Sequence, residues 1–166
     1  SEAVTLIAEH RAAGRDVVVV SASGAELVEP IAAMLGADQA VSTRMEVVDG
    51  RYTGEIDFYA YGENKAEAVR RLADEHGYDL DGSYAYSDSI TDAPMLSVVG
   101  HGFAVNPDRT LRRLAAEQGW GVLTFNRPVA LRRVLSPRAS VATGVAALVG
   151  TGAALVAWRL LRRRTV

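Results

Sequence analysis

Cysteine is absent from the 166 residues, which removes disulfides, thiolate zinc sites and cysteine nucleophiles from consideration. Histidine is scarce. His10, His76 and His101 stand far apart, without the paired spacing of a metal site, and read as solvated or loop residues. No basic segment followed by an apolar run opens the chain, so its start does not read as a signal peptide. Ser1 instead begins inside an amphipathic stretch, SEAVTLIAEHRAAG, and the chain is expected to be the C-terminal part of a longer polypeptide.

Acidic residues are missing from one region only. Residues 127–166 carry eight arginines and no acid, whereas residues 1–126 carry 20 acids against 10 basic side chains. The net charge of -2 conceals this split, which suggests that the tail meets an anionic surface. Charge disappears altogether from residues 139–158, ASVATGVAALVGTGAALVAW. A helix of that length spans about 30 Å, the hydrocarbon thickness of a bilayer. Arg132, Arg133 and Arg138 precede it, Arg159 and Arg162–Arg164 follow, and Trp158 stands at the boundary as an interfacial anchor. The expectation is a membrane helix over 139–161, preceded by a basic linker at 131–138 and followed by a basic tail at 162–166; a buried or disordered Ala-rich appendix is the alternative. The arginines flanking a membrane helix would hold anionic lipid headgroups and the rest of the chain would lie in the cytoplasm. No aromatics interleave with the arginines, which argues against nucleic acid as a partner.

What is present over residues 1–130 alternates between strand and helix. VVVV (17–20) is a β-branched run of the kind buried on both faces of a parallel sheet. Helical patterns follow over 24–35 and 63–76, closed by Gly36 and Gly77, and Asp49-Gly50 marks a hairpin. YAYS (84–87), GFAV (102–105) and GVLTF (121–125) read as further strands. Residues 92–98 and 107–118 read as helices, the latter with Asn106 as N-cap and Pro107 at its first position. The alternation predicts an α/β domain with a mainly parallel sheet.

In such sheets ligands bind at the carboxyl ends of the strands, and three polar signals fall there. Ser21, Ala22, Ser23 and Gly24 follow VVVV, and a hydroxyl with free backbone N–H groups can cradle an oxyanion; a plain helix cap is the other reading. Lys65 stands at the start of a helix, against the macrodipole, as a lysine would if it reached an anion; a solvated surface lysine is the alternative. Asp88 and Asp92, in YSDSITDAPML, offer oxygen ligands of the type Mg²⁺ takes; equally, Asp88 could shape a turn and Asp92 cap a helix. A hydroxyl, a lysine and two carboxylates together are what phosphate handling with Mg²⁺ requires.

This ordered set resembles the haloacid dehalogenase (HAD) superfamily, in the subfamily IB group similar to phosphoserine phosphatases. VVVVSAS resembles its second motif, Lys65 in GENKAEAV its third, and YSDSITDAPML its fourth. LVEPIAAMLG, TRMEVVDGRYTGEI and VNPDRTLRRLAAEQGW are also similar in sequence and order, so the likeness covers residues 1 to about 130. It implies an incomplete three-layer Rossmann-like core acting on a small phosphorylated metabolite, with phosphoserine the family's leading substrate. Ser21, Ala22 and Lys65 would bind phosphate, Lys65 and Asp88 would serve catalysis, and Asp88 with Asp92 would serve Mg²⁺.

The first motif of that family, DxDx[TV] after a strand, has no counterpart here. Asp79-Leu80-Asp81-Gly82-Ser83 mimics it, but no apolar strand precedes it and YAYSDS follows at once. The attacking carboxylate and the general acid are therefore expected upstream, on a strand between those ending at Ser21 and at Asp88, along with the family's helical cap. These 166 residues alone are expected to be inactive and poorly soluble, since two strands would keep unpaired edges. The competing expectation is a non-catalytic, membrane-tethered binding module of the same family.

Overall fold

The computed structural model describes residues 2–126. The linker, the apolar span and the basic tail expected at 131–166 lie outside the described residues. Among those that are described, no helix is long and apolar enough to cross a membrane.

The alternation read from the sequence is realised as α1 (Glu2–Ala12), β1 (Val18–Gly24), α2 (Ala25–Leu35), β2 (Gln39–Val48), β3 (Arg51–Phe58) and α3 (Glu63–His76). There follow β4 (Tyr84–Ser87), a 3₁₀ turn at Ile90–Asp92, α4 (Ala93–Ser97), β5 (His101–Val105), α5 (Arg109–Gln118) and β6 (Gly121–Leu123). Helices α2, α3 and α5 each stop where a glycine (Gly36, Gly77, Gly119) takes the left-handed conformation and returns its N–H to the last turn. The Asp49-Gly50 pair turns β2 into β3, both residues at positive φ.

The strands form two three-stranded sheets, β1-β2-β3 and β4-β5-β6. β1 runs parallel to β2, which pairs antiparallel with β3; β4, β5 and β6 are all parallel. β1 and β4 are thus both edge strands among the described residues. The second sheet owns a packed core. Leu96 of α4, Ala104 of β5 and Leu111 and Ala115 of α5 are fully buried, with Ala85 and Trp120 against them. Alternation along β4 and β5 sends Ala85 and Ala104 to that core and Tyr84, Tyr86 and Phe103 to the opposite face, where the rings stack.

Helix α1 is tied to that aromatic face. Arg15 Nε donates to His10 Nδ1 at 2.9 Å, and His10 Nε2 lies 2.8 Å from the Tyr86 hydroxyl. Because Arg15 can only donate, His10 Nδ1 must be the accepting nitrogen, which leaves Nε2–H to donate to Tyr86. Burial, then the Arg15 guanidinium, hold the imidazole below its ordinary pKa, against the opposing pull of Glu9.

The start of the last helix differs from the sequence expectation. Helix α5 begins at Arg109 and is capped by Asp108, whose carboxylate accepts from Leu111 N–H at 2.8 Å. Asn106 is engaged elsewhere. Its side chain bonds both the N–H and the C=O of Phe125, and its backbone sits at φ 44. A side chain already closing the end of β6 cannot also cap a helix.

Candidate active site

Strand β1 parts from β2 at its carboxyl end. Val18, Val19 and Val20 face Gln39, Ala40 and Val41 in register, but the next partners are Gly24 and Thr43. Four steps on β1 therefore match two on β2, and Ser21, Ala22 and Ser23 occupy the excess. Ser21 is half-buried, whereas Ala22 and Ser23 are exposed. The Ser21 hydroxyl accepts from the Ser23 N–H at 3.2 Å. Gly24, not Ser21, stands at the N-cap of α2, so Ser21 is no helix cap. Its hydroxyl and the neighbouring backbone form an open bend where the sheet ends.

Beside this bend a single hydroxyl joins two segments. Thr43, buried in β2, donates to the Ala22 carbonyl at 2.8 Å and accepts from the Ala60 N–H at 3.2 Å. Ala60 is fully buried and opens the turn that leads, through Gly62, into α3.

Lys65 lies in the first turn of α3, on the face that carries Ala66, Ala68 and Ala73 inward. Its ammonium donates to Asp92 Oδ1 at 2.7 Å, and both side chains are about nine-tenths buried, at 8% and 10% exposure. The other oxygen, Asp92 Oδ2, accepts from the Ser87 hydroxyl at 2.8 Å, which in turn accepts from Ser89 N–H at 3.1 Å. Asp92 makes no side-chain cap to α4. Lys65, Asp92 and Ser87 thus form a network, buried at Lys65 and Asp92 and half-buried at Ser87, in which the two charges are paired.

Asp88 is the contrasting carboxylate. It directly follows β4, is exposed, and has no hydrogen-bond or ion-pair partner among the described residues. A carboxylate with all its lone pairs free at the carboxyl end of a parallel strand suits a hard cation. Asp92 differs in that each of its oxygens already accepts a hydrogen bond from a side chain. Among the described residues no three His, Asp or Glu side chains cluster as a complete metal site. Asp79 and Asp81 sit at the other end of β4, where they are spent on the loop: Asp79 Oδ1 accepts from Asp81 N–H and its carbonyl from the Ser83 hydroxyl.

The structure brings Lys65 and Asp92 into contact, and links Ala22 through Thr43 to the segment before Lys65. It shows no contact between Asp88 and either. Two members of the constellation went unrecognised as site residues in the sequence. Ser87 was visible only as one hydroxyl among several. Thr43 was hidden because a β-branched residue in a strand draws no attention; the polar pair Ser42-Thr43, buried mid-strand, was the available signal.

The described residues thus form an α/β core with a hydroxyl bend after β1, a buried lysine in the first turn of α3 and an exposed carboxylate directly after β4. Residues 1–97 match the haloacid dehalogenase-like hydrolase family, and the chain belongs to that family. A probable phosphatase of Mycobacterium tuberculosis is 57% identical over 169 residues, covering 98% of this chain and 58% of that protein. A phosphoserine phosphatase of the same organism is 42% identical over 154 residues, covering 92% of this chain and 49% of that protein. A solved phosphoserine phosphatase, described as a phospho-aspartyl intermediate analogue, superposes with a TM-score of 0.59 at 27% identity. That match covers 80% of this chain and 60% of the other. The chain spans about half the length of these curated relatives.

Proposed function

We propose that the chain forms the phosphate- and metal-binding part of a phosphatase that hydrolyses small phosphomonoesters, phosphoserine being the first candidate. The observation that carries this reading is the buried Lys65–Asp92 pair at 2.7 Å. A lysine is costly to bury, and a fixed ammonium at the ligand-binding end of the sheet is the group a transferring phosphoryl needs. Ser21 and the Ala22 backbone would bind phosphate oxygens, Lys65 would offset their charge, and Asp92 with Ser87 would hold Lys65 in place. Asp88 would hold Mg²⁺, which when bound supplies further charge neutralisation at the phosphoryl oxygens.

The attacking carboxylate would come from a segment outside these residues. Its oxygen would bond to phosphorus while the ester P–O bond breaks and the alcohol leaves with a proton. Water would then hydrolyse the acyl phosphate. The test is phosphate release from a panel of phosphomonoesters, with and without Mg²⁺, by a polypeptide of the relatives' full length. Turnover that needs Mg²⁺ and is lost in Asp88→Asn is expected; undiminished turnover in that variant overturns the assignment.

The charge-free run at 139–158 with its flanking arginines supports a second proposal, a membrane anchor that leaves the hydrolase domain in the cytoplasm. Retention of the protein in carbonate-washed membranes is the expected result, and release into the wash would refute it.

A further inference from the structure

We propose that Thr43 is a positioning residue of the phosphate site: its buried hydroxyl fixes the bend that presents Ser21. This rests on the phosphatase reading above and adds a residue that touches neither phosphate nor metal.

In the register of β1 and β2, Ala22 faces no partner residue on β2, because Gly24 is the next residue to pair. The Thr43 hydroxyl donates to the Ala22 carbonyl at 2.8 Å. A trans peptide points its C=O and N–H to opposite sides. Holding the Ala22 carbonyl toward β2 therefore aims the Ser23 N–H the other way, and that N–H meets the Ser21 hydroxyl. The orientation of Ser21 is thus set by a hydroxyl on the neighbouring strand.

The direction of the proton on Thr43 is determined. The Ala60 N–H can only donate, and it donates to Thr43 Oγ1 at 3.2 Å. The hydroxyl must then give its own hydrogen to Ala22. One buried atom serves as donor to the bend after β1 and acceptor from the turn that leads into Lys65. Both partners are backbone groups, one accepting and one donating, and the single hydroxyl at position 43 satisfies the two of them.

The experiment compares Thr43→Val, which keeps the shape and loses both bonds, with Thr43→Ser, which keeps both. Each is made in a polypeptide of the relatives' full length. In Thr43→Val the KM for a phosphomonoester and the inhibition constant of inorganic phosphate should each rise about tenfold. The Mg²⁺ concentration for half-maximal activity should stay within about twofold, as should every constant of Thr43→Ser. A general loss of packing would shift the metal dependence as well and would not be repaired by serine. If Thr43→Val fails to fold, Thr43→Cys replaces it, since a thiol is close to serine in size but donates weakly. Unchanged KM and phosphate inhibition in the valine or cysteine variant overturn the proposal and leave the phosphatase reading standing. A metal dependence that moves in parallel, or a serine variant that fails to restore phosphate affinity, also overturns it. A wild-type protein that hydrolyses no phosphomonoester overturns both.

Discussion

The ammonium of Lys65 sits 2.7 Å from Oδ1 of Asp92, bridging α3 to the turn after β4 over 27 positions of sequence. Either charge alone would be buried without compensation. Lys65→Met should therefore cost about 3–5 kcal/mol of stability in urea unfolding, and Asp92→Leu a similar amount. The double variant should lose clearly less than the two together, because it leaves no unpaired charge. Additive losses would show that the pair is not coupled.

Asp88 predicts the opposite pattern. It is exposed and has no partner among the described residues, so Asp88→Asn should change stability by no more than about 0.5 kcal/mol. Under the proposed function, the Mg²⁺-dependent phosphatase activity of a polypeptide of the relatives' full length should nevertheless fall by about a hundredfold or more in Asp88→Asn. Unfolding midpoints and turnover measured on one preparation separate these effects.

His10 makes stability fall on the acid side. Its folded pKa is lowered, first by burial and then by Arg15, from the ordinary value of 6.5. A depressed pKa means that the unfolded chain takes up the proton first. The contribution is complete above the unfolded pKa and is lost as pH falls through the folded one. Urea midpoints of the wild type should thus drop more steeply between about pH 7 and 5 than those of His10→Gln. Equal slopes would remove His10 from the account.

At the start of α5 two neighbouring residues should respond for different reasons. Asp108→Ala removes the side-chain cap on Leu111 N–H and should cost about 1 kcal/mol. Asn106→Gly keeps a residue at ease at positive φ but loses both bonds to Phe125, and should cost about as much. Helix content should fall only in the first variant, which circular dichroism can check.

The strands and helices that were legible are those whose signals are local. Four successive valines announce β1, and α3 runs from Glu63 to the residue before Gly77 because an apolar stripe and a C-terminal glycine agree. The start of α5 was ambiguous locally, since Asn106 and Asp108 are both good caps; a tertiary bond to Phe125 decided between them. Lys65 stood out as a charge placed against a helix dipole, and it is also the only lysine among the 18 basic side chains of the sequence. Its partner could not be read. Spacing grouped Asp92 with Asp88 as two carboxylates of one site, whereas the fold commits Asp92 to Lys65 and Ser87 and leaves Asp88 free. Thr43 was still less visible, because its role depends on a register slip between two strands.

That the two sheets share no strand also bears on how the molecule breathes. The half built on β4-β5-β6 has its own sealed core, while β3 is exposed at nearly every residue. Amide hydrogens of β5 should consequently exchange far more slowly than those of β3, as separate foldons with separate opening energies. A phosphate gripped by Ser21 on one side and Lys65 on the other would belong to both. Occupancy of the site would then make the two halves open as one, and ligand would slow exchange in strands it never touches.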